Sequence, residues 1–187
     1  GASCEPYHNA EHDIITPIMG EAIHHFLDTV PAVKPFCLSM SLNVPHGSQT
    51  TSMYMGYEDW RKMTRPANEH PKLAGHPVYG DLYRDANIRI SEEVGTNPYQ
   101  HIPKKVLHQD SGRSKTYVYE YNKASAKEHH IRYYQTITGI DRLVGDLMNT
   151  LKEKGLSDNT IIIYASDHGL LMGEYGMGGK ALLYDLT

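Results

Sequence analysis

Residues 126–169 constrain the fold of this chain more than any other stretch. Ile131, Tyr134, Ile137, Ile140, Val144, Leu147, Met148 and Leu151 recur at the period of one amphipathic helix face. Gly155 offers a left-handed cap, and Ser157-Asp158-Asn159 turns the chain. Thr160 to Ser166, TIIIYAS, is a short β-branched run that reads as a buried strand and stops abruptly at Asp167-His168-Gly169. Gly139 and Gly145 lower the helix's intrinsic stability, which predicts close packing against a sheet.

A second helix-and-strand pair precedes it. Thr16-Pro17 reads as N-cap and first helical position, because proline has no N–H to lose there. Ala22, Ile23, Phe26 and Leu27 follow at helical spacing, predicting a helix over 17–29 that Val30-Pro31 ends. Phe36 to Leu42, FCLSMSL, reads as another buried strand, with Cys37 as a small core residue, and it ends at Asn43-Val44-Pro45-His46-Gly47. Between the pairs, 47–125 is a loop-rich excursion broken by Pro66, Pro71, Pro77, Pro98 and Pro103, with brief helices expected around 57–63 and 81–87. A strand, an excursion, a helix and a strand make a parallel crossover with a large insertion. The expected architecture is therefore α/β, a parallel-sheet core with flanking helices built from 14–46 and 126–187. In open sheets of this kind the carboxyl ends of strands line the ligand crevice, so NVPH and SDHG should both face it.

Composition narrows the chemistry. The 187 residues suffice for one domain, and the net charge of −4 is spread among interspersed signs, which gives no electrostatic case for nucleic acid. No apolar run approaches the ~18 residues that a membrane span needs. The start shows no charged-then-apolar leader pattern, and Cys4 and Cys37 make no disulfide framework.

Asp167 at a strand end can present hard oxygens to a divalent cation, His168 adds a nitrogen, and Gly169 lets the backbone turn beside the ion. Alone, each element is ordinary: Asp-His-Gly as a polar turn, His46 as a loop histidine, Lys180 as a surface lysine. Converging on one crevice, they suit a tetrahedral dianion or its ester. The cation and Lys180 would neutralise charge, and His46 would shuttle a proton to the leaving oxygen.

At these residues the sequence resembles the sulfatases. KPFCLSMSLNVPHG is similar to their PFFLYLSFNAPH block. The stretch from Tyr133 to Asp185 is similar to their YYA-x-x-x-x-x-D-x-x-V-G helix, DNT turn, SDHG strand end and LGEHG-x-x-GK loop, in the same order. Residues 48–125 carry none of these motifs. The resemblance implies an alkaline-phosphatase-like α/β fold hydrolysing sulfate esters with calcium. It further implies Asp167 and His168 as metal ligands and His46 and Lys180 as the residues that hold the sulfate. His168 stands where many members carry Asn, and Tyr175 replaces the usual His of GEHG. The family's nucleophile, a Cys or Ser in C/S-x-P-S/A-R matured to formylglycine, is absent, as is an Asp-Asp pair after the first strand. Cys4-Glu5-Pro6-Tyr7-His8 begins like that motif but lacks its Ser/Ala and Arg. The resemblance thus implies an internal fragment of a longer sulfatase, inactive by itself, from an extracytoplasmic protein. Two other readings are a phosphodiesterase or phosphonate hydrolase of the same superfamily, and a non-catalytic histidine-rich metal-binding module using His24, His25, His129 and His130. Neighbouring helical residues point about 100° apart, which disfavours the last.

Overall fold

The computed structural model describes residues 15–31, 34–42, 45, 82–100, 103, 117–119 and 121–180, with the side chains of 15–18 excepted. Among these, 15–45, 82 and 132–162 form one compact unit, and 83–131 with 163–180 form another.

Helix α1 is Ile15–Thr29. Pro17 falls in its first turn, where a missing N–H leaves no intrahelical bond unmade. Helix α2, Lys123–Glu153, begins eight residues before Ile131, the first residue of its apolar period, because Asn122 caps it. The Asn122 carboxamide oxygen accepts the Ala124 and Ser125 amides, each at 3.0 Å. At the other end Gly155 takes φ +67, Leu156 N–H bonds the Leu151 carbonyl at 2.8 Å, and Gly155 N–H bonds that of Lys152 at 3.0 Å. This pair of bonds is a Schellman cap, the left-handed ending expected at that glycine.

In the first unit Ile23 and Leu27 of α1 are buried against Leu143 and Leu151 of α2. The four residues repeat at intervals of four or eight, which puts each pair on one helix face. Lys154 Nζ also reaches Asp28 Oδ1 at 2.5 Å. Residues 36–42 join no ladder among the described residues, and their burial alternates residue by residue. Phe36, Leu38, Met40 and Leu42 pack on the helical core, and Phe36 meets Phe26 edge-on at 5.8 Å between ring centres. That alternation is the one an extended chain makes, and Cys37 falls on its exposed side, which corrects its reading as a core residue.

Other expectations are also revised. Tyr134, Ile137 and Met148 of α2 are exposed, whereas Glu128, Arg132, Gln135 and Thr136 are buried. The polar side chains find partners instead: Arg84 pairs with Glu128, and Gln135 Nε2 donates to the Leu82 carbonyl at 3.0 Å. A methyl placed on Gly145 would meet nothing within 4 Å, so that glycine does not mark close packing. Residues 82–85 form turns rather than a brief helix, with Tyr83 at φ +66 breaking any helical run. The helix expected at 57–63 lies outside the described residues. Thr160 is extended, but among the described residues the run to Ser166 pairs with no strand, and Ile161 and Ile163 are 88% and 85% exposed. The parallel pairing expected of it is therefore not found among those residues. The one sheet there is two-stranded and antiparallel, β1 (Leu171–Met172) with β2 (Gly178–Gly179).

Candidate active site

Asp167, His168 and Lys180 all belong to the second unit; His46 lies outside the described residues. Past the exposed run the chain bends at Asp167. The Asp167 carboxylate accepts the His168 amide at 3.0 Å, and Ser166 Oγ donates to the His168 carbonyl at 2.8 Å. His168 Nδ1 lies 2.7 Å from the Gly169 carbonyl oxygen. A carbonyl only accepts, so Nδ1 is the donor here, and Nε2 has a lone pair to offer whenever the ring is neutral. That Nε2 stands 3.4 Å from Asp167 Oδ2.

The spacing bears on calcium. Two ligand atoms about 2.4 Å from one calcium ion and at right angles around it stand about 3.4 Å apart. The 3.4 Å between Asp167 Oδ2 and His168 Nε2 matches that spacing, which is also that of a direct carboxylate–imidazole contact, and the carboxylate is 85% exposed. Two donors are a minority of the six to eight that calcium takes. Among the described residues no group of three or more His, Cys, Asp or Glu is placed to hold an ion. The histidine-rich alternative finds no such cluster there either. His129 and His130 are buried, with Nδ1 engaged by Tyr119 Oη and the Ala126 carbonyl, both at 2.8 Å.

Lys180 directly follows β2, and the glycines around it explain how it is held. Leu171 pairs with Gly179 and Met172 with Gly178, while a single bridge joins Met177 to Val118. Tyr119 N–H bonds the Gly176 carbonyl at 3.0 Å, and Gly178 N–H bonds that of Tyr117 at 2.8 Å. The connecting turn, Glu174–Gly176, is closed by Gly173 N–H on the Met177 carbonyl at 2.9 Å. Gly173 has φ +116, and a methyl there would stand 2.5 Å from Val94 Cγ2, so only glycine fits. Glu174 Oε2 accepts the Met172 amide at 2.6 Å. Glu93, from the turn at 92–95, accepts the amide of Tyr175.

Beneath the hairpin Tyr119 is buried and stacks on His129, which also stacks on Tyr121. Burial pushes the Tyr119 hydroxyl well above the usual tyrosine range, and Tyr121 and Glu174 add to the shift. The hydroxyl stays neutral and serves as structure. Lys180, by contrast, is half-buried and makes no hydrogen bond or ion pair among the described residues. Sequence reasoning missed Glu93, whose partner is 82 residues away, and Tyr119, which no motif marks. The glycines at 173, 176, 178 and 179 were the one available signal of a tightly folded loop.

A family model described as Sulfatase matches residues 3–185 and so runs through the excursion as well as the motif-bearing ends. The chain is 24% identical over 207 residues to an N-acetylglucosamine-6-O-sulfatase of Bacteroides thetaiotaomicron, covering 95% of this chain and 37% of that protein. It is 26% identical over 161 residues to a choline-sulfatase of Rhizobium meliloti, covering 81% and 25%. It is also 26% identical over 170 residues to an arylsulfatase of Volvox carteri, covering 90% and 25%. The chain thus spans about a third or less of the length of these relatives. No solved structure gives a significant match.

Proposed function

The chain belongs to the sulfatase family, whose members hydrolyse sulfate esters on an alkaline-phosphatase-like α/β fold, and on that premise we propose that it carries part of a calcium-dependent sulfatase active site. Asp167 and His168 supply two of the calcium ligands. His46 and Lys180 hold the sulfate. The observation that carries this reading is the pairing of Asp167 Oδ2 and His168 Nε2 at a ligand–ligand distance, in the same unit as a half-buried lysine with no anionic partner among the described residues.

Each residue does work that the ester requires. Lys180 places a cation against a sulfate oxygen, a charge-assisted bond of about 1.5–3 kcal/mol. A half-buried ammonium is less screened than a fully exposed one, and the contact gains from that. His46 hydrogen-bonds the bridging oxygen and gives its proton to the departing alkoxide, an effect of about 10²–10⁴ in rate. The Gly169-bound Nδ1–H fixes the His168 ring so that Nε2 faces the carboxylate. A bound calcium ion would withdraw charge from the sulfate, and a formylglycine elsewhere in the whole protein would supply the nucleophile. These 187 residues contain no C/S-x-P-S/A-R motif, so by themselves they should not turn over a sulfate ester.

The test uses the whole protein and a set of sulfate esters of graded leaving-group pKa. Lys180→Ala should lower kcat/KM by about 10–100-fold with little dependence on the leaving group, the range of one lost charge-assisted bond. Asp167→Ala should weaken calcium binding measured by calorimetry. Wild-type rates in Lys180→Ala, or unchanged calcium affinity in Asp167→Ala, would refute the assignment.

A further inference from the structure

Three of the four residues from Gly173 to Gly176 have positive φ: Gly173 at +116, Tyr175 at +57 and Gly176 at +67. Glycine enters that region without steric cost, but a tyrosine does not, and a bulky residue there persists only when its surroundings hold it. What holds Tyr175 is visible. Its amide donates to Glu93 Oε2, a charge-assisted bond. Glu93 is itself fixed, because its turn is closed on both sides. The Glu93 amide bonds Ser91 Oγ at 3.2 Å, and its carbonyl accepts the Thr96 amide at 2.9 Å and the Thr96 hydroxyl at 2.7 Å. The same turn buries Val94 against Gly173 and brings Thr96 against Gly176. From the kink at Tyr175 the chain returns through Met177 and β2 directly to Lys180.

We propose that Glu93 is a positioning residue for this site: by gripping the Tyr175 amide it fixes the left-handed kink that sets the path of β2 and hence the place of the Lys180 ammonium. The inference rests on the sulfate-binding role of Lys180 proposed above. It assigns a function to a carboxylate that lies outside every sulfatase-like motif in the chain. A displacement of about 1 Å of a binding group is enough to cost up to 10²-fold in rate, so a latch that never touches substrate can matter.

The experiment compares Glu93→Ala, Glu93→Gln, Tyr175→Gly and Lys180→Ala, alone and combined, in the whole protein. Each is assayed for kcat/KM on an aryl sulfate and for amide exchange of residues 171–180. Glu93→Ala should lower kcat/KM about tenfold and speed exchange at the Tyr175 amide. Glu93→Gln, which keeps an acceptor oxygen, should lose less. Adding Tyr175→Gly to Glu93→Ala should recover most of the activity, because glycine adopts the kink without a latch. In a Lys180→Ala background Glu93→Ala should cost less than twofold more, since its effect runs through the missing ammonium. A merely structural role would instead lower activity equally in both backgrounds and would not be rescued by glycine, and either result overturns the proposal. Unchanged activity in Glu93→Ala beside an impaired Lys180→Ala overturns the latch alone. Unchanged activity in Lys180→Ala overturns the reading of Lys180 and the latch with it.

Discussion

Gly155 and Gly176 share one backbone angle and differ in everything around it, which makes them a matched pair. Both have φ +67. Around Gly155 an added methyl would meet nothing within 4 Å. Around Gly176 it would stand 2.6 Å from Thr96 Oγ1, 3.0 Å from the Thr96 carbonyl oxygen and 3.3 Å from that of Glu93. Gly155→Ala therefore pays only the left-handed strain of an alanine, about 1–2 kcal/mol, partly offset by about 0.4–1 kcal/mol from a less flexible unfolded chain. Gly176→Ala carries the same strain plus an overpacking cost of about 1–3 kcal/mol, because two of the three neighbours are backbone atoms that cannot rotate away. The expected difference between the variants is thus about 1–3 kcal/mol. Segment-resolved hydrogen exchange measures it, reading 150–157 for the first variant and 171–180 for the second. Thr96→Ala combined with Gly176→Ala should recover part of the loss by removing the nearest atom. Equal losses in the two glycine variants would refute the argument, since strain alone would then account for both.

Two further outcomes follow from buried groups. Tyr119 has its hydroxyl pKa raised, so the neutral form is favoured by folding and its contribution is complete below about pH 10, the ordinary tyrosine value. That contribution is lost as pH rises beyond that point, and Tyr119→Phe should flatten the alkaline limb of a stability–pH curve measured by urea denaturation, whereas an unchanged limb would place the titration elsewhere. Arg84→Met removes a charge-assisted bond from a Glu128 side chain that is fully buried, and should cost about 1.5–3 kcal/mol in the same assay. Arg84→Met with Glu128→Gln should cost less than Arg84→Met alone, and a larger cost in the double variant would contradict the charge argument.

The two helices were legible in the sequence because an amphipathic period and a glycine cap are local signals. Asn122 was not read as a cap, since the apolar period begins only after it. The buried face of α2 departs from the apolar period at Tyr134 and Ile137 because burial there follows polar contacts: Arg84 reaches Glu128, and Gln135 reaches Leu82, 53 residues away. In FCLSMSL large and small side chains alternate, which marks one buried face and leaves Cys37 with the serines on the other; a strand buried on both faces is the expectation that fails. The family motifs at 133–185 were legible, as was the Asp167–His168 neighbourhood, because both are contiguous. The latch on Tyr175 was not, because hydrogen bonds between distant turns leave no periodic trace.

The exposed run from Ile161 to Tyr164 sets the conditions under which the 187 residues can be studied by themselves. Its amides and carbonyls join no ladder among the described residues, and Ile161, Ile163 and Tyr164 turn outward. A row of exposed β-branched and aromatic side chains with no charge among them is prone to pair with another extended chain, including another copy of itself. Solubility of the isolated chain should therefore fall steeply with concentration. A lysine at Ile161 or Ile163, where the side chain already faces water, is the substitution that should raise the concentration it tolerates without disturbing Asp167 or the hairpin that carries Lys180.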